Sequence, residues 1–455
     1  MFPKDFIDNI TKQLGSAEAN LLLNALQQEP ITSVRLNDKC SAFDFGDVAV
    51  SEVAWNKDGR YLSQRVSFTL DPLWHAGAYY VQEASSMILQ AILEQYVPKN
   101  SIVLDLCAAP GGKSTLISQW LQDGLKCGLL VSNEVIRQRA FILSENVQKW
   151  GNGNVVVTHN KAQDFGDRLK NFFDCIVVDA PCSGEGMFRK DLMAIEEWSM
   201  ANVLLCAERQ RNIVEDAWDS LKEGGILIYS TCTFNELENE QNIQWIADNL
   251  GATILPFQYD KAWGLAEGKV GYHCFPHKMK GEGLYFCILQ KTASKANQTP
   301  KRVRKVLKNY KCSKMAVAEM KKWLLHPDSW TFSGNERFMK MYPSAWEKEI
   351  ENICANLTCL TVGIGAGELR GSTMQPQHAV SMLKDFKKDV MPSIELTKEQ
   401  ALQYLHLDNT FIPLTDQLPV GMLLLTYKQV PLGFCKNIGD RINNLYPKEW
   451  RIRNL

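Results

Sequence analysis

Short uninterrupted apolar runs, each followed by a glycine-containing turn and a stretch with helical spacing, dominate residues 100–230. Ile102-Val103-Leu104-Asp105-Leu106 precedes Pro110-Gly111-Gly112 and a helix predicted over 113–121. Gly128-Leu129-Leu130-Val131-Ser132 precedes a second, predicted over 135–149. Val155-Val156-Val157 and Cys175-Ile176-Val177-Val178 read as further strands, and a helix over 209–221 leads through Gly224-Gly225 into Ile226-Leu227-Ile228-Tyr229. Strands without polar alternation are buried on both faces, and their alternation with helices predicts a parallel sheet between two helical layers. The apolar segments 253–255 and 284–289 are suited to complete it. Upstream, Ser16 is placed to cap a helix, and Ser33-Val34-Arg35-Leu36-Asn37 alternates like a strand.

Beyond the sheet the pattern weakens. Residues 292–300 have the composition of a linker, and residues 301–311 form a basic run without an acid. The last eighty residues mix short strands and turns with aromatic and basic side chains. The expected organisation is an N-terminal α+β extension over 1–75 and a catalytic domain over 76–291. A linker over 292–303, a small central domain over 304–375 and a C-terminal domain over 376–455 follow.

Composition narrows the class. Of the 455 residues, 45% are hydrophobic and 22% charged, which excludes a disordered or collagen-like chain. No window approaches the ~18 apolar residues of a spanning helix, and the first residues lack the apolar core of a signal peptide. The thirteen cysteines never fall as Cys-x-x-Cys, so reduced thiols in a cytoplasmic protein are expected, with neither a disulfide framework nor a metal site. The net charge of −1 hides an asymmetry: residues 293–455 hold 24 Lys and Arg against 15 Asp and Glu. An acidic front and a basic rear suit an enzyme joined to a polyanion-binding module.

Chemistry concentrates first in Cys107-Ala108-Ala109-Pro110-Gly111-Gly112-Lys113-Ser114, between the first strand and its helix, where open α/β sheets hold ligands. Two ligands compete for it. A phosphate-binding P-loop would match except that Cys107 replaces the first glycine, with Asp179 after Cys175-Ile176-Val177-Val178 as its magnesium-side acid. Pro110, however, removes an N–H that a phosphate cradle uses. The other ligand is S-adenosylmethionine, whose ribose hydroxyls would meet Glu134, the acid ending the second strand.

Two cysteines complete the pattern. Asp179-Ala180-Pro181-Cys182-Ser183-Gly184 and Ser230-Thr231-Cys232-Thr233 are polar turn sequences after apolar strands, so both thiols fall at carboxyl ends of parallel strands. Most cysteines are inert core filler. Residues flanked like these are not core.

With these motifs, Tyr80-Val81-Gln82-Glu83-Ala84-Ser85-Ser86, Asn133-Glu134 and Gly184-Glu185-Gly186-Met187-Phe188-Arg189-Lys190, the chain resembles the Sun/NSUN-type RNA cytosine-C5 methyltransferases, and among them the RsmF-like ribosomal RNA enzymes. Pro431-Leu432-Gly433-Phe434-Cys435-Lys436 and Asn444-Leu445-Tyr446-Pro447 resemble the PUA-like RNA-binding domain ending such proteins. The resemblance implies a class I, Rossmann-like S-adenosylmethionine-dependent methyltransferase sheet, with an N-terminal α+β extension and a C-terminal PUA-like domain. It implies that Cys232 is the nucleophile, that Cys182 assists proton loss and release, and that Asp179 bonds the base at N3 or N4. It implies cofactor contacts from Cys107, Ala108, Ala109, Pro110, Gly111, Gly112, Lys113 and Glu134, with Arg139 and Asp179 close by. Where the family carries an Asp for the adenine amino group, this chain has His159-Asn160-Lys161, and Asn160 is the expected acceptor.

The expected partner is ribosomal RNA of the small subunit, with transfer RNA second, bound by a monomer without membrane or metal. The target base must be unstacked to meet a thiolate, and Lys301, Arg302, Arg304, Lys305, Lys436, Lys448, Arg451 and Arg453 are candidates for backbone contacts. Two other readings compete. A P-loop NTPase would need neither thiol, and a non-catalytic RNA-binding factor would typically have lost a thiol or the glycine loop.

Overall fold

The computed structural model describes residues 2–40, 45–123, 126–292, 312–335, 337–370, 373–415 and 417–454. Its centre is a mixed sheet whose site-bearing strands are β1 (Ile102–Asp105), β2 (Leu129–Asn133), β3 (Val155–Thr158), β4 (Phe173–Asp179), β5 (Leu221–Thr231), β6 (Leu284–Lys291) and β7 (Cys359–Val362). Their order across the sheet is β6-β5-β4-β1-β2-β3-β7. The five central strands run parallel, with Asp179 opposite Ser230, Asp105 opposite both Val177 and Ser132, and Asn133 opposite Thr158. Strand ends 105, 133, 158, 179 and 231 therefore line one edge.

Successive strand residues face opposite sides of a sheet, and both sides here are covered. Val103, Leu130, Val157 and Val177 pack with Leu116 and Ile117 of α1 (Gly112–Trp120) and with Leu143 and Val147 of α2 (Arg137–Trp150). Leu104, Val131, Val156, Ile176 and Val178 pack on the other side. Their partners are Val214 and Trp218 of α3 (Met200–Trp218), Ile243 and Ile246 of α4 (Glu240–Leu250), and Ile350 and Ile353 of α5 (Glu347–Asn356). Each fully buried Val, Leu or Ile stabilises by roughly 1.5–3 kcal/mol, so the two layers fix the edge on which the turns sit.

The sheet departs from the all-parallel expectation at both margins. β6 runs antiparallel to β5 and also pairs with Ala252–Leu255. β7 runs antiparallel to β3, although its residues fall within the stretch expected to be a separate central domain. The physical reason is burial: Leu357 and Val362, like Ile350 and Ile353, lie within the core of the catalytic sheet. Cys359–Val362 thus closes what would be an open strand edge.

The N-terminal sheet has the order Ala49–Val53, Asn56–Leu62, Thr32–Leu36, Tyr79–Val81. The last strand falls within residues 76–291, the stretch assigned to the catalytic domain, yet Val34 pairs with Val81, so it belongs to the N-terminal sheet. Ser16 does not cap its helix: Gly15, at φ 78°, precedes Ser16–Ala25 and no side chain caps it. Buried Arg35 ties this sheet to the catalytic one, bonding Gln82, Gln119 and Thr115 and stacking on Trp150. Phe6, Ile10 and Leu22 of the first two helices pack against Phe188, Trp198 and Phe234, beneath the turns that follow β4 and β5. A four-stranded sheet (Ser393–Glu395, Gly421–Tyr427, Val430–Asn437, Ile442–Asn444) with helix Lys398–Leu405 ends the chain. Among the described residues no helix is long and apolar enough to cross a membrane.

Candidate active site

After Asp105 the chain turns through Cys107, Ala108, Ala109 and Pro110 into α1. Gly111 stands at φ 118°, in the left-handed region, and a Cβ there would lie 3.2 Å from Leu143 Cδ1. The carbonyls of the loop are drawn toward α2: Arg139 Nη2 donates to Ala109 O (2.9 Å) and Asn146 Nδ2 to Pro110 O (2.8 Å). Ser114 Oγ donates to Asp105 Oδ2 (2.6 Å), while Asp105 Oδ1 is buried with no partner among the described residues. Burial pushes the Asp105 carboxyl up to about 7. Burial likewise pushes the Cys107 thiol far above its ordinary value, so it stays neutral in the loop wall.

Glu134, 4% exposed, accepts from Ile136 N (2.9 Å) and stands 3.5 Å from Arg139 Nη1. Asp105's orphaned oxygen requires a donor, and the Glu134 carboxylate suits a pair of hydroxyls. An amino acid joined through a sulfonium to adenosine supplies both. The P-loop alternative fits less well, because Lys113 does not lie back over the loop. Its ammonium reaches across to Asp179 Oδ2 (2.8 Å).

That ion pair begins the second half of the site. Burial works against the Lys113 charge, but the neighbouring Asp179 carboxylate outweighs it, and the ammonium's pKa rises. Ser230 Oγ donates to Asp179 Oδ1 (2.9 Å), as the register of β4 and β5 dictates. On the turns that follow, the sulfurs of Cys182 and Cys232 lie 3.1 Å apart, both partly exposed. Hydrogen bonding to Cys232, with burial and the charges of Cys232 and Glu238 added, holds the Cys182 thiol well above its ordinary value.

Two buried glutamates cross-brace these turns, and sequence reasoning assigned neither a role. Glu238, on the Cys232 turn, accepts from Ser183 N (3.0 Å), Ser183 Oγ (2.5 Å), Gln210 Nε2 (2.7 Å) and Asn235 Nδ2 (2.8 Å). Glu185, on the Cys182 turn, accepts from Phe234 N (2.8 Å), Asn235 N (3.0 Å) and Trp198 Nε1 (3.1 Å). Gly186 N also donates to Cys232 O (2.8 Å), at a point where a Cβ would lie 2.9 Å from that oxygen. Glu238 sits in the acidic run Glu236-Leu237-Glu238-Asn239-Glu240, which reads as a solvated turn. Nothing local marks it as 0% exposed.

The remaining candidates separate. Asn160 is at the end of β3, but both ends of its amide are bonded to Thr358: Oδ1 accepts from Thr358 N (3.0 Å) and Nδ2 donates to Thr358 O (3.2 Å). The adenine contact expected of it would have to share those atoms. Thr358, just before β7, was not foreseen because the pairing spans 198 residues. Lys448, Arg451 and Arg453 are exposed and Lys436 half-buried, all in the C-terminal sheet region. Lys301, Arg302, Arg304 and Lys305 lie outside the described residues. Among the described residues no cluster of His, Cys, Asp and Glu is placed to hold a metal ion.

Comparison with known proteins adds relatives to this geometry. Residues 92–290 match the family of 16S rRNA methyltransferase RsmB/F, residues 2–84 the N-terminal domain of 16S rRNA methyltransferase RsmF, and residues 391–452 the methyltransferase RsmF PUA domain. The chain is 30% identical to ribosomal RNA small subunit methyltransferase F of Klebsiella pneumoniae, over 93% of this chain and 91% of that one. To the protein of the same name from Erwinia tasmaniensis it is 29% identical, over 98% and 96%. Among solved structures, a methyltransferase homologue from Pyrococcus horikoshii superposes with a TM-score of 0.55 at 27% identity, over 64% of this chain and 95% of that one. NSun6 from Pyrococcus horikoshii, solved with SFG, shares the fold at a TM-score of 0.54 and 20% identity, over 64% and 99%.

Proposed function

The chain belongs to the RsmF family of S-adenosylmethionine-dependent methyltransferases, and from that premise we propose that it methylates C5 of a cytosine in 16S ribosomal RNA. The thiol pair, 3.1 Å between sulfurs at the ends of adjacent parallel strands, is the observation that carries this reading. Cytosine C5 is a poor nucleophile until a thiolate adds to C6, and the adduct must afterwards lose the C5 proton and eliminate the thiolate. One sulfur has to attack and leave, and a second group has to stand beside it during release. Cys232 takes the first role and Cys182 the second.

Asp179, Lys113 and Ser230 hold the base between them. The Asp179 carboxylate, fixed on one oxygen by Ser230 and on the other by Lys113, suits the cytosine amino group as donor. Negative charge that builds on the ring during addition falls beside the Lys113 ammonium, a preorganised electrostatic contact of the kind worth two to three orders of magnitude in rate (roughly 10²–10³). S-adenosylmethionine, when bound, supplies an electrophilic methyl group on sulfur. Asp105, Gly111, Gly112 and Glu134 would hold it, with Cys107, Ala108, Ala109 and Pro110 forming the loop wall and Arg139 fixing that wall and Glu134 together. The exposed Lys448, Arg451 and Arg453 would meet the RNA backbone.

The test is product identity. The protein is incubated with methyl-labelled S-adenosylmethionine and, in separate reactions, small-subunit RNA or transfer RNA, and the RNA is digested to nucleosides. Label in 5-methylcytidine is the expected result. Label in another nucleoside, or transfer only to transfer RNA, overturns the reading in its base or in its substrate.

A further inference from the structure

A second concave site lies away from the thiols. A cavity of about 410 Å³ opens where the N-terminal sheet meets the end of α2, within the usual size range of ligand pockets. Arg65, Trp74, Tyr80, Asn146, Lys149 and Trp150 are among its walls, and no acidic side chain is. None of the residues assigned above to the cofactor, the base or the thiols lines it. Arg65 is exposed and has no acidic partner among the described residues. Trp150 is 2% exposed, and its indole N–H has no partner among the described residues. Trp74 is half-buried, and the Lys149 ammonium, which pairs with Glu145 (2.6 Å), lies 4.9 Å from its ring centre. The Tyr80 hydroxyl accepts a long bond from Asn146 Nδ2 (3.5 Å) and donates to nothing among the described residues. The cavity backs onto the glycine loop: Asn146 Nδ2 also donates to Pro110 O (2.8 Å), and the Tyr80 ring lies 3.4 Å from where a Cβ on Gly112 would stand.

We propose that this cavity takes an unpaired nucleotide of the substrate RNA other than the methylated cytosine, with its base against Trp74 and its phosphate at Arg65. The proposal rests on the RNA substrate inferred above. Aromatic faces stack any base, and an arginine fork fits a phosphate. The unspent N–H of Trp150 and O–H of Tyr80 suit the acceptors on a base edge, and the absence of carboxylates from the walls suits a polyanion. Drawing one base out to a thiolate leaves its neighbours unstacked, so a second seat for an unpaired nucleotide has a use during the reaction. The place is also apt. Trp74 and Lys149 fall in the stretches matching the RsmF N-terminal domain and the RsmB/F family, and the Lys149 ammonium lies 5.1 Å from the ring centre of Trp450, in the PUA stretch. A nucleotide held there is gripped where three parts of the chain meet, independently of the chemistry at the thiols.

The experiment measures binding of the full chain to small-subunit RNA across a salt series, with cofactor affinity read by calorimetry. Trp74→Leu should weaken RNA binding by about tenfold, while Trp74→Phe, which keeps an aromatic face, should stay within about threefold of the unaltered protein. Arg65→Gln should make the slope of log K against log salt shallower by about 0.7, the share of one phosphate contact on a single strand. In Trp74→Leu and Arg65→Gln the KM for RNA should rise while kcat at saturating RNA and cofactor affinity hold, as loss of uniform binding requires. Unchanged affinity and slope in both variants would overturn the proposal. Weaker binding of assembled small subunits with unchanged RNA affinity would give the cavity to a protein surface instead, and overturn it too. Ultraviolet crosslinking of RNA to the unaltered protein decides the matter even if Trp74→Leu fails to fold. The adduct should map to the tryptic segment 66–99, which carries Trp74 and Tyr80, and adducts that map only elsewhere would reject the site. Failure of the unaltered protein to bind RNA at all sinks the substrate reading; RNA binding and methylation that both variants share unchanged sink only the cavity.

Discussion

The two halves of the site are built by different means. The half at the ends of β1 and β2 is made from contiguous backbone: one glycine loop, one left-handed residue and the acid closing the next strand. The half at the ends of β4 and β5 is made from side chains that cross between turns some fifty residues apart, Ser183 to Glu238 and Phe234 to Glu185. The first half holds a ligand by letting backbone approach it. The second must fix two sulfurs and a charged pair relative to one another, and only long-range buried bonds do that. Damage to the first should therefore weaken cofactor binding, and damage to the second should slow chemistry while cofactor binding persists.

The largest separation should come from Lys113→Met. It removes the ammonium beside Asp179 and should lower kcat by roughly 10²–10³, as loss of a preorganised charge contact does. Cofactor affinity, read by calorimetry without RNA, should move far less. A parallel loss of both would erase the distinction between the halves.

Gly111→Ala attacks the other half. A Cβ 3.2 Å from Leu143 Cδ1 on a residue at φ 118° is strained as well as crowded, and a cost of about 1–3 kcal/mol is expected. The check is a higher KM for S-adenosylmethionine and a lower Tm.

Asp105 gives the comparison a pH axis. Its carboxyl is raised to about 7 by burial, so the folded state binds a proton that the unfolded state has released. Stability from this group is then lost as pH rises from about 4 to about 7, by up to about 4 kcal/mol, and stays lost above that range. Asp105→Asn should flatten that part of the stability curve in denaturant melts at pH 5 and pH 8. An unchanged slope would mean that the carboxyl ionises freely.

The smallest effect is expected from Arg139→Ala. Arg139 is half exposed and contacts Glu134 and Ala109 O, so loss of one charge-assisted bond and a screened ion pair should weaken cofactor binding by about tenfold or less.

The same division explains what could be read from the sequence. Apolar runs, glycines and strand-end acids are local signals, so the succession of strands β1 to β5 along the chain, the loop at 107–113, and the strand-end places of Glu134 and both cysteines were legible, whereas the strand order across the sheet was not. Lys113 was legible as a loop residue but not as the partner of Asp179, because that pairing depends on β1 and β4 being neighbours. Glu185 and Glu238 were hidden, since burial of a polar turn is decided by Trp198, Gln210 and Asn235 from elsewhere in the chain. β7 and Thr358 were hidden for the same reason, their partners β3 and Asn160 lying about two hundred residues upstream. Local pattern reports what a segment needs to bury and leaves open what covers it.

The central claim is that one thiol of the pair bonds the base and the other stands by for its release. Denaturing gel electrophoresis of protein incubated with small-subunit RNA and S-adenosylmethionine tests it directly. Cys182→Ala should accumulate a covalent protein–RNA band that protease removes, and Cys232→Ala should form none. A band that persists in Cys232→Ala, or is missing from Cys182→Ala while methylation continues, would contradict the account.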